Sequence, residues 1–139
     1  MYLNDIEQTK ILKRFPKFEL SYEKQIHKKV YNDNDIFMAI PFGPKYYAWF
    51  TYYQEKYVCI LIELYSNKKI KKLYLKHCCF HESLCDGTIL YGTFIEDRFF
   101  YIENIFFYCG NSTLNKCFSY KYEIYLKLFS EKISQKSFL

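Results

Sequence analysis

The side chains best suited to chemistry are crowded into one short segment, which contains His77, Cys78, Cys79, His81 and Cys85. Thiolates and imidazoles are the ligands that zinc prefers, but a structural zinc site usually takes its donors from two spaced pairs. Adjacent residues of a strand point to opposite faces, so these donors are poorly arranged to converge on one ion. We therefore predict no metal site, and we interpret the segment as a turn with buried thiols and hydrogen-bonded histidines.

The sequence marks no residue as an activated nucleophile. With three His and six Cys, some pair will lie close together by chance, and nothing indicates a lowered thiol pKa. We interpret Glu96 and Asp97 as residues of a solvated hairpin loop and Glu103 as an outward-facing strand residue. The chain also lacks a glycine-rich phosphate loop and a dinucleotide fingerprint. We predict no catalytic residue and no cofactor.

Aromatic and basic residues point to binding instead. The chain contains 16 Tyr, 14 Phe and one Trp, and its net charge of +5 is compatible with a phosphate-bearing partner. An exposed Trp49 ring could stack on a base, whereas burial in the core is the more frequent position of Trp on an apolar strand. Four lysines are either phosphate contacts or a solvated turn and strand edge: Lys68, Lys69, Lys71 and Lys72.

The cysteines indicate a reducing compartment. Residues 1–5 do not resemble a signal peptide, and several cysteines lie within apolar runs, where a free thiol acts as a small hydrophobic group. The six are Cys59, Cys78, Cys79, Cys85, Cys109 and Cys117. We expect reduced thiols and a cytoplasmic location, or a virion if the protein is viral. No apolar run approaches the ~20 residues that span a bilayer, so we expect no membrane partner.

Hydrophobic periodicity predicts an α+β fold with an antiparallel β-sheet core, an N-terminal helix and a C-terminal helix. The helices are predicted at residues 4–15 and at 120–133, the second capped by Ser119 with Glu123 in its first turn. The predicted strands span residues 18–22, 25–31, 36–42, 45–53, 57–64, 70–75, 88–94 and 99–107. A polar turn is predicted at 32–35, and Cys109-Gly110-Asn111 is predicted to end the sheet. We predict that residues 1–139 form one domain, with a leader at 1–35 and a core at 36–133.

Two segments resemble motifs of the covalent nucleotidyltransferase superfamily, which includes messenger-RNA guanylyltransferases and DNA ligases. The first reads Ile40-Pro41-Phe42-Gly43-Pro44-Lys45-Tyr46-Tyr47-Ala48, in the place of a Lys-x-Asp-Gly-x-Arg motif that leads into a hydrophobic strand. The second reads Asp86-Gly87-Thr88-Ile89-Leu90-Tyr91-Gly92-Thr93-Phe94, in the place of an Asp-Gly-Glu strand. The strand at 98–110 and a following helix also match the order of elements in that superfamily.

The resemblance implies the fold of that superfamily without its catalytic lysine. The nucleophilic lysine of the superfamily falls on Ile40, and the motif Asp falls on Phe42. In the second segment Tyr91 and Thr93 replace the two acids, so only Gly43, Lys45 and Gly92 are retained. This eroded pattern is most similar to the cap-binding domain of snurportin, which binds a methylated cap without catalysis. The implied ligand is a nucleotide or capped RNA, with Gly43, Lys45, Trp49 and the four lysines as candidate contacts.

Two other hypotheses stay open. The chain could be a structural or interaction subunit of a viral or RNA-processing complex with no small ligand, because aromatic residues are also enriched at interface cores. It could instead be half of a split enzyme, although Ile40 argues against that reading. The richness in Lys, Asn, Ile, Tyr and Phe is typical of an AT-rich genome and is compatible with a large DNA virus.

Overall fold

A computed structural model gives the fold and describes residues 1–18 and 37–134. The predicted α+β class is confirmed: a six-stranded antiparallel sheet lies between an N-terminal and a C-terminal helix. The strands are β1 Lys45–Tyr53, β2 Lys56–Leu64, β3 Ile70–Lys76, β4 Cys79–Phe80, β5 Thr88–Ile95, β6 Phe99–Tyr108, β7 Asn111–Ser112 and β8 Ile133–Ser134. The helices are α1 Asp5–Leu12 and α2 Phe118–Lys127, with a 3-10 helix at Glu82–Asp86 and a π-helical turn at Leu128–Lys132.

The main sheet has the strand order β3-β2-β1-β5-β6-β7, and β4 pairs with β8 in a separate two-stranded sheet. Strand β1 is central and buried on both faces, which explains why its sequence reads as a continuous apolar run. A two-residue turn at Gln54 and Glu55, with φ of 48° and 62°, joins β1 to β2. Positive φ at both positions suits the right-handed twist of a hairpin.

Alternation along β1 divides the core into two layers. On the side that we call the α1 face, Tyr47 and Trp49 pack with Ile11 of α1 and with Ile60 of β2. On the side that we call the α2 face, apolar residues from the sheet pack against the 3-10 helix and the C-terminal helical segment. They include Tyr46, Ala48, Phe50, Leu61, Leu84, Ile124 and Leu128. Within the described residues, no helix is long and apolar enough to cross a membrane.

The N-terminal helix is shorter than predicted but begins where its cap residue requires. Asn4 Oδ1 accepts from the Glu7 backbone N–H at 2.8 Å, and Glu7 Oε2 accepts from the Asn4 N–H at 3.0 Å. This reciprocal capping box satisfies backbone donors that a helix end leaves unpaired. The regular helix ends at Leu12, and Arg14 and Phe15 continue as a turn.

Several predicted elements differ from the structure. Residues 37–42 form no strand; Phe37, Met38 and Ile40 are exposed, and Pro41 has no N–H for a ladder. The sheet does not end at the turn at Cys109, because β7 folds back on β6. Three predicted elements involve residues 19–36, which lie outside the described part of the chain. They are the strands at 18–22 and 25–31 and the turn at 32–35.

The C-terminal helix begins two residues earlier than predicted. Its N-cap is Cys117 and not Ser119, so Glu123 lies beyond the first turn. Regular α-helix ends at Lys127 and continues as the π-helical turn. The sequence prediction began the helix too late because Phe118, which is exposed to solvent, does not contribute to the periodic pattern of core residues. The short strands β4 and β8 were also missed, since two-residue pairings have no sequence periodicity.

Candidate binding groove

A groove of about 670 Å³ opens on the α2 face, and no residue of α2 lines it. It is bordered by the first residues of the chain, the loop before β1, strand β3 and the β5–β6 turn. We call it the aromatic groove and define it by Tyr2, Phe42, Tyr46, Tyr74, Phe94, Lys72 and Lys76. Its volume is within the range of sites that hold a ligand of nucleotide size.

Three packed rings form the floor of the aromatic groove. Tyr46 meets Phe94 edge-on at 5.5 Å between ring centres and meets Tyr74 edge-on at 6.1 Å. Burial, together with a hydrogen bond to Tyr46, raises the pKa of the Tyr74 phenol far above its ordinary value. The Tyr74 hydroxyl therefore stays protonated and can donate or accept a hydrogen bond at any physiological pH.

Two rings at the border of the groove remain available to a ligand. Phe42 is fully exposed, and Tyr2 is largely exposed although its ring centre lies 5.8 Å from that of Tyr74. An exposed aromatic ring beside a groove can stack on any base, because every base has a π-face. Tyr2 is held beside the groove by a backbone bridge to Tyr74 of β3, and Phe42 lies in the loop just before β1.

The lysines that line the same opening, Lys72 and Lys76, each have a nearby carboxylate. Lys76 Nζ donates to the Asp97 backbone carbonyl at 2.7 Å and lies 3.3 Å from its carboxylate, which is 82% exposed. Lys72 Nζ lies 3.7 Å from a carboxylate oxygen of Glu63 and 5.1 Å from the ring centre of Tyr2. Ion pairs this exposed or this long are worth at most about 1 kcal/mol. Both ammonium groups can therefore turn towards an anionic ligand at small cost.

The two segments that carry the nucleotidyltransferase resemblance lie side by side at this groove. Strands β1 and β5 are antiparallel neighbours, with Lys45 opposite Thr93 and Tyr46 opposite Gly92. The first segment contributes Phe42 and Tyr46 to the groove, and the second contributes Phe94, followed by Ile95, Glu96 and Asp97. The pairing of β1 with β5 thus brings together two segments that lie about fifty residues apart in the sequence.

Lys45 does not line the groove, and Gly43 lines it but also has a structural role. Lys45 Nζ donates to Glu103 Oε1 at 2.6 Å and to Thr93 Oγ1 at 2.8 Å, on the α1 face. Its charge is therefore already compensated. Gly43 lines the groove, and a Cβ there would lie 2.8 Å from Thr93 Cγ2, so glycine permits the close approach of the loop to β5.

Trp49 is not a stacking residue in this structure, and that candidate role is corrected. Its side chain is 4% exposed and lies on the α1 face, across the sheet from the aromatic groove. Phe15 contacts the indole edge-on at 5.1 Å, and the Arg14 guanidinium lies 5.7 Å from the ring centre. Burial of an apolar strand residue outweighs stacking here, as it does for most tryptophans.

The four candidate lysines do not form one phosphate site. Lys68 Nζ donates to the Tyr91 hydroxyl at 2.8 Å on the α1 face. Lys71 Nζ donates to Glu63 at 2.8 Å, which raises the pKa of that lysine. Lys69 lies in the exposed β2–β3 turn, where its backbone N–H donates to Asn67. Of the four, only Lys72 lines the groove, and Lys76, which also lines it, was not among the sequence candidates.

The segment rich in Cys and His folds as a short strand followed by the 3-10 helix. His81 caps that helix, accepting from the Ser83 N–H at 3.1 Å. Cys85 is buried, but Cys78 and Cys79 are exposed, so the expected turn of buried thiols is only partly correct. Within residues 1–18 and 37–134, no three His, Cys, Asp or Glu side chains are grouped to hold a metal ion.

The structure adds groove residues that sequence reasoning did not single out: Tyr2, Tyr46, Tyr74, Lys76 and Phe94. Tyr46 and Phe94 belong to the two motif-like segments, whereas Tyr2 and Tyr74 had no sequence signal beyond the aromatic excess and Lys76 had none beyond its charge. Comparison with protein-family models, with curated proteins and with solved structures finds no match to this chain. Inference about function therefore depends on the geometry of the groove and on the resemblance of its two bordering segments.

Proposed function

We propose that this chain is a non-catalytic module that binds a nucleotide or the capped end of an RNA in the aromatic groove. The observation that carries the proposal is the meeting of the two motif-like segments at one opening lined by rings and lysines. In the superfamily that these segments resemble, the same neighbourhood receives a nucleotide. Ile40, in the place of the nucleophilic lysine, has no group that could attack a phosphate.

The groove offers each kind of contact that a nucleotide needs. Phe42 and Tyr2 can stack on the base, which is worth ~1–3 kcal/mol per base. Lys72 and Lys76 can exchange their weak carboxylate partners for phosphate oxygens. The carboxylates of Glu96 and Asp97 can accept hydrogen bonds from the N–H groups of a guanine. A base that carries a positive charge would stack more strongly on these rings.

The test is ligand-dependent stabilisation of the folded chain. Thermal unfolding and calorimetric titration would use 7-methyl-GTP, GTP, ATP and inorganic triphosphate in parallel. A ligand at a hundred times its dissociation constant should stabilise the protein by about 2.7 kcal/mol. Stabilisation by the nucleotides but not by triphosphate would support base recognition. If none of the four stabilises or binds the folded protein, the proposal is wrong.

Variants locate the site. Phe42→Ala removes a fully exposed ring and should weaken nucleotide binding without loss of stability, and Lys72→Gln with Lys76→Gln should remove the phosphate contribution. Matched controls are Phe118→Ala and Lys127→Gln on α2, no residue of which lines the groove. Equal loss of binding in groove and control variants would contradict this location.

The exposed side of α2 favours a second candidate function, that of an interaction subunit. Phe118, Tyr122, Leu126 and Phe129 follow helical spacing, and all four are more than two-fifths exposed. Phe118 and Tyr122 stack with ring centres 6.3 Å apart and leave an apolar stripe in solvent. Such stripes are typical of helix faces that dock on another protein. Loss of a co-purifying protein in Leu126→Ser, with nucleotide binding unchanged, would identify this role.

A further inference from the structure

Five cations lie where the end of α1 meets the β1–β2 hairpin, and we call them the basic surface. All five are exposed to solvent, and they are Lys10, Lys13, Arg14, Lys17 and Lys56. The first three follow helical spacing, because hydrogen bonding in a helical turn continues to the Arg14 N–H, which donates to the Ile11 carbonyl. The Lys17 backbone lies three residues beyond Arg14, at most about 11 Å from it.

Direct contacts bring the end of the helix to the hairpin. The Arg14 guanidinium donates to the Tyr52 backbone carbonyl at 2.7 Å. Earlier in the helix, Glu7 Oε1 accepts from the Tyr53 hydroxyl at 2.9 Å. Tyr53 is the cross-strand partner of Lys56, so Lys56 projects from the same face of the hairpin, which is the α1 face. Two separate elements therefore contribute to the basic surface, and the fold holds them together.

The charge of the basic surface is not neutralised by ion pairs. Within residues 1–18 and 37–134, none of its five cations forms a salt bridge, whereas four lysines elsewhere in the sheet do. Two carboxylates lie in the same region: Glu7, which already accepts from Tyr53 and from the Asn4 N–H, and Glu55 in the hairpin turn. The helix macrodipole explains a cation in the last turn, but not Lys17 or Lys56.

Two exposed tyrosines border the basic surface. Tyr52 and Tyr57 are cross-strand partners near the end of the hairpin, and their ring centres lie 4.9 Å apart. They project from the α2 face, where Glu82 lies close to Tyr57. Exposed rings and unpaired cations thus occupy the two faces of one hairpin end. Proteins that bind single-stranded nucleic acid combine these groups, because cations attract the phosphates and rings stack on the unpaired bases.

We infer that this end of the hairpin binds single-stranded nucleic acid, with its phosphates on the basic surface and its bases on Tyr52 and Tyr57. A strand that crosses the end of the hairpin meets the cations on one face and the rings on the other. A duplex keeps its bases stacked on one another, and an acidic peptide or an anionic membrane has no base to stack. The inference goes beyond the proposed function and does not need it, because none of these seven residues lines the aromatic groove.

The test is fluorescence anisotropy of a labelled, uncapped oligouridine of about twelve nucleotides, titrated with the full chain. For single strands, each neutralised phosphate contributes about 0.7 to the slope of log K against log salt concentration. Between about 50 and 200 mM salt, the triple variant Lys10→Gln, Lys13→Gln and Lys56→Gln should reduce this slope by about 2 and weaken binding several-fold. The control Lys69→Gln, Lys116→Gln and Lys127→Gln removes the same charge at exposed positions elsewhere and should keep the slope.

The rings should give a different signature, because stacking releases no counterions. Tyr52→Ala combined with Tyr57→Ala should weaken binding several-fold and leave the salt slope unchanged. Tyr101→Ala removes an equally exposed ring from β6 and should change neither quantity. All of these substitutions are at exposed positions, and circular dichroism would verify that each variant is folded.

The aromatic groove is tested separately with the same probe. Phe42→Ala should not change binding of the uncapped strand. If Phe42→Ala removes binding and the triple lysine variant does not, the strand binds in the groove, and the inference is wrong while the proposed function stands. No binding at about 50 mM salt, an unchanged slope in the triple variant, or equal affinity for a duplex, for polyglutamate or for phosphatidylserine vesicles would also overturn the inference.

Discussion

The Lys45 ammonium lies 2.6 Å from Glu103 Oε1, and Thr93 Oγ1 approaches the second oxygen of the same carboxylate at 3.3 Å. The three residues come from three neighbouring strands, β1, β5 and β6. The Glu103 side chain is only 6% exposed, so its charge depends on this pairing. Lys45, the basic residue retained in the first motif-like segment, thus links these three strands through side-chain contacts.

We predict that Lys45→Met and Glu103→Gln each lower the free energy of unfolding by roughly 3 kcal/mol, because each leaves the partner without a counter-charge in a partly buried place. The double variant should lose less than the sum of the two, which urea unfolding would measure as a coupling energy. Lys76→Met is the matched control and should cost below about 1 kcal/mol, because Asp97 is exposed. Additive losses would contradict the interpretation.

Gly92→Ala should be among the most damaging single substitutions in the sheet. A Cβ at Gly92 would overlap the Tyr101 carbonyl oxygen, and the backbone of β6 cannot move without breaking its pairing with β5. We expect a loss of more than about 3 kcal/mol. Gly43→Ala should cost less, because its Cβ would meet side-chain atoms of Thr93 and Ile95 that can shift, even though its φ of 159° also strains a side chain there. Equal urea midpoints for the two variants would argue against the clash.

Acid should weaken the attachment of α1 through Glu7. Hydrogen bonds from the Asn4 N–H and from the Tyr53 hydroxyl lower the pKa of the Glu7 carboxyl. A carboxyl whose pKa is lower in the folded state stabilises the protein above its ordinary pKa, and this contribution is lost as the pH falls through the lowered value. Melting temperatures measured from neutral pH to about pH 3 should fall less steeply in Glu7→Gln. Glu123→Gln, at an exposed position on α2, should keep the wild-type slope.

Cys117 should alkylate faster than the exposed Cys79 under conditions that exclude oxidation. The Ser119 hydroxyl, 3.2 Å from its sulfur, and the backbone N–H of Tyr120 lower the pKa of this thiol, which lies at the N-cap position of α2. Iodoacetamide labelling followed by mass spectrometry should show Cys117 modified several-fold faster than exposed Cys79. Ser119→Ala should slow the Cys117 reaction and leave Cys79 unchanged. Equal rates at both residues would refute the prediction.

The strands were the elements that the sequence predicted most reliably. The prediction for β1 is confirmed from Lys45 to Tyr53, because an apolar run bounded by Pro44 and a polar turn has few other solutions. The strand predicted at 36–42 shows the opposite outcome. Phe37 and Ile40 are apolar but exposed, because this segment has no neighbouring strand to pair with. Apolar character alone does not tell a paired strand from an exposed loop.

The candidate site was harder to predict, because it depends on which faces meet. Trp49 was the candidate stacking ring, although core burial was the more frequent position for it. Strand alternation places Trp49 on the α1 face, while Tyr46 reaches the groove. Lys76 and Phe94 come together only through the pairing of β1 with β5. Such contacts are set by strand order, which no local pattern in the chain encodes.

That strand order also has a consequence for the speed of folding. All neighbours in the main sheet are joined through short turns except β1 and β5, whose pairing runs from Lys45 opposite Thr93 to Phe50 opposite Thr88. The meanders β1-β2-β3 and β5-β6-β7 can each form through local contacts, whereas their seam requires closure of a long loop. Substitutions along the seam should therefore slow refolding, and those in the outer hairpins should mainly speed unfolding.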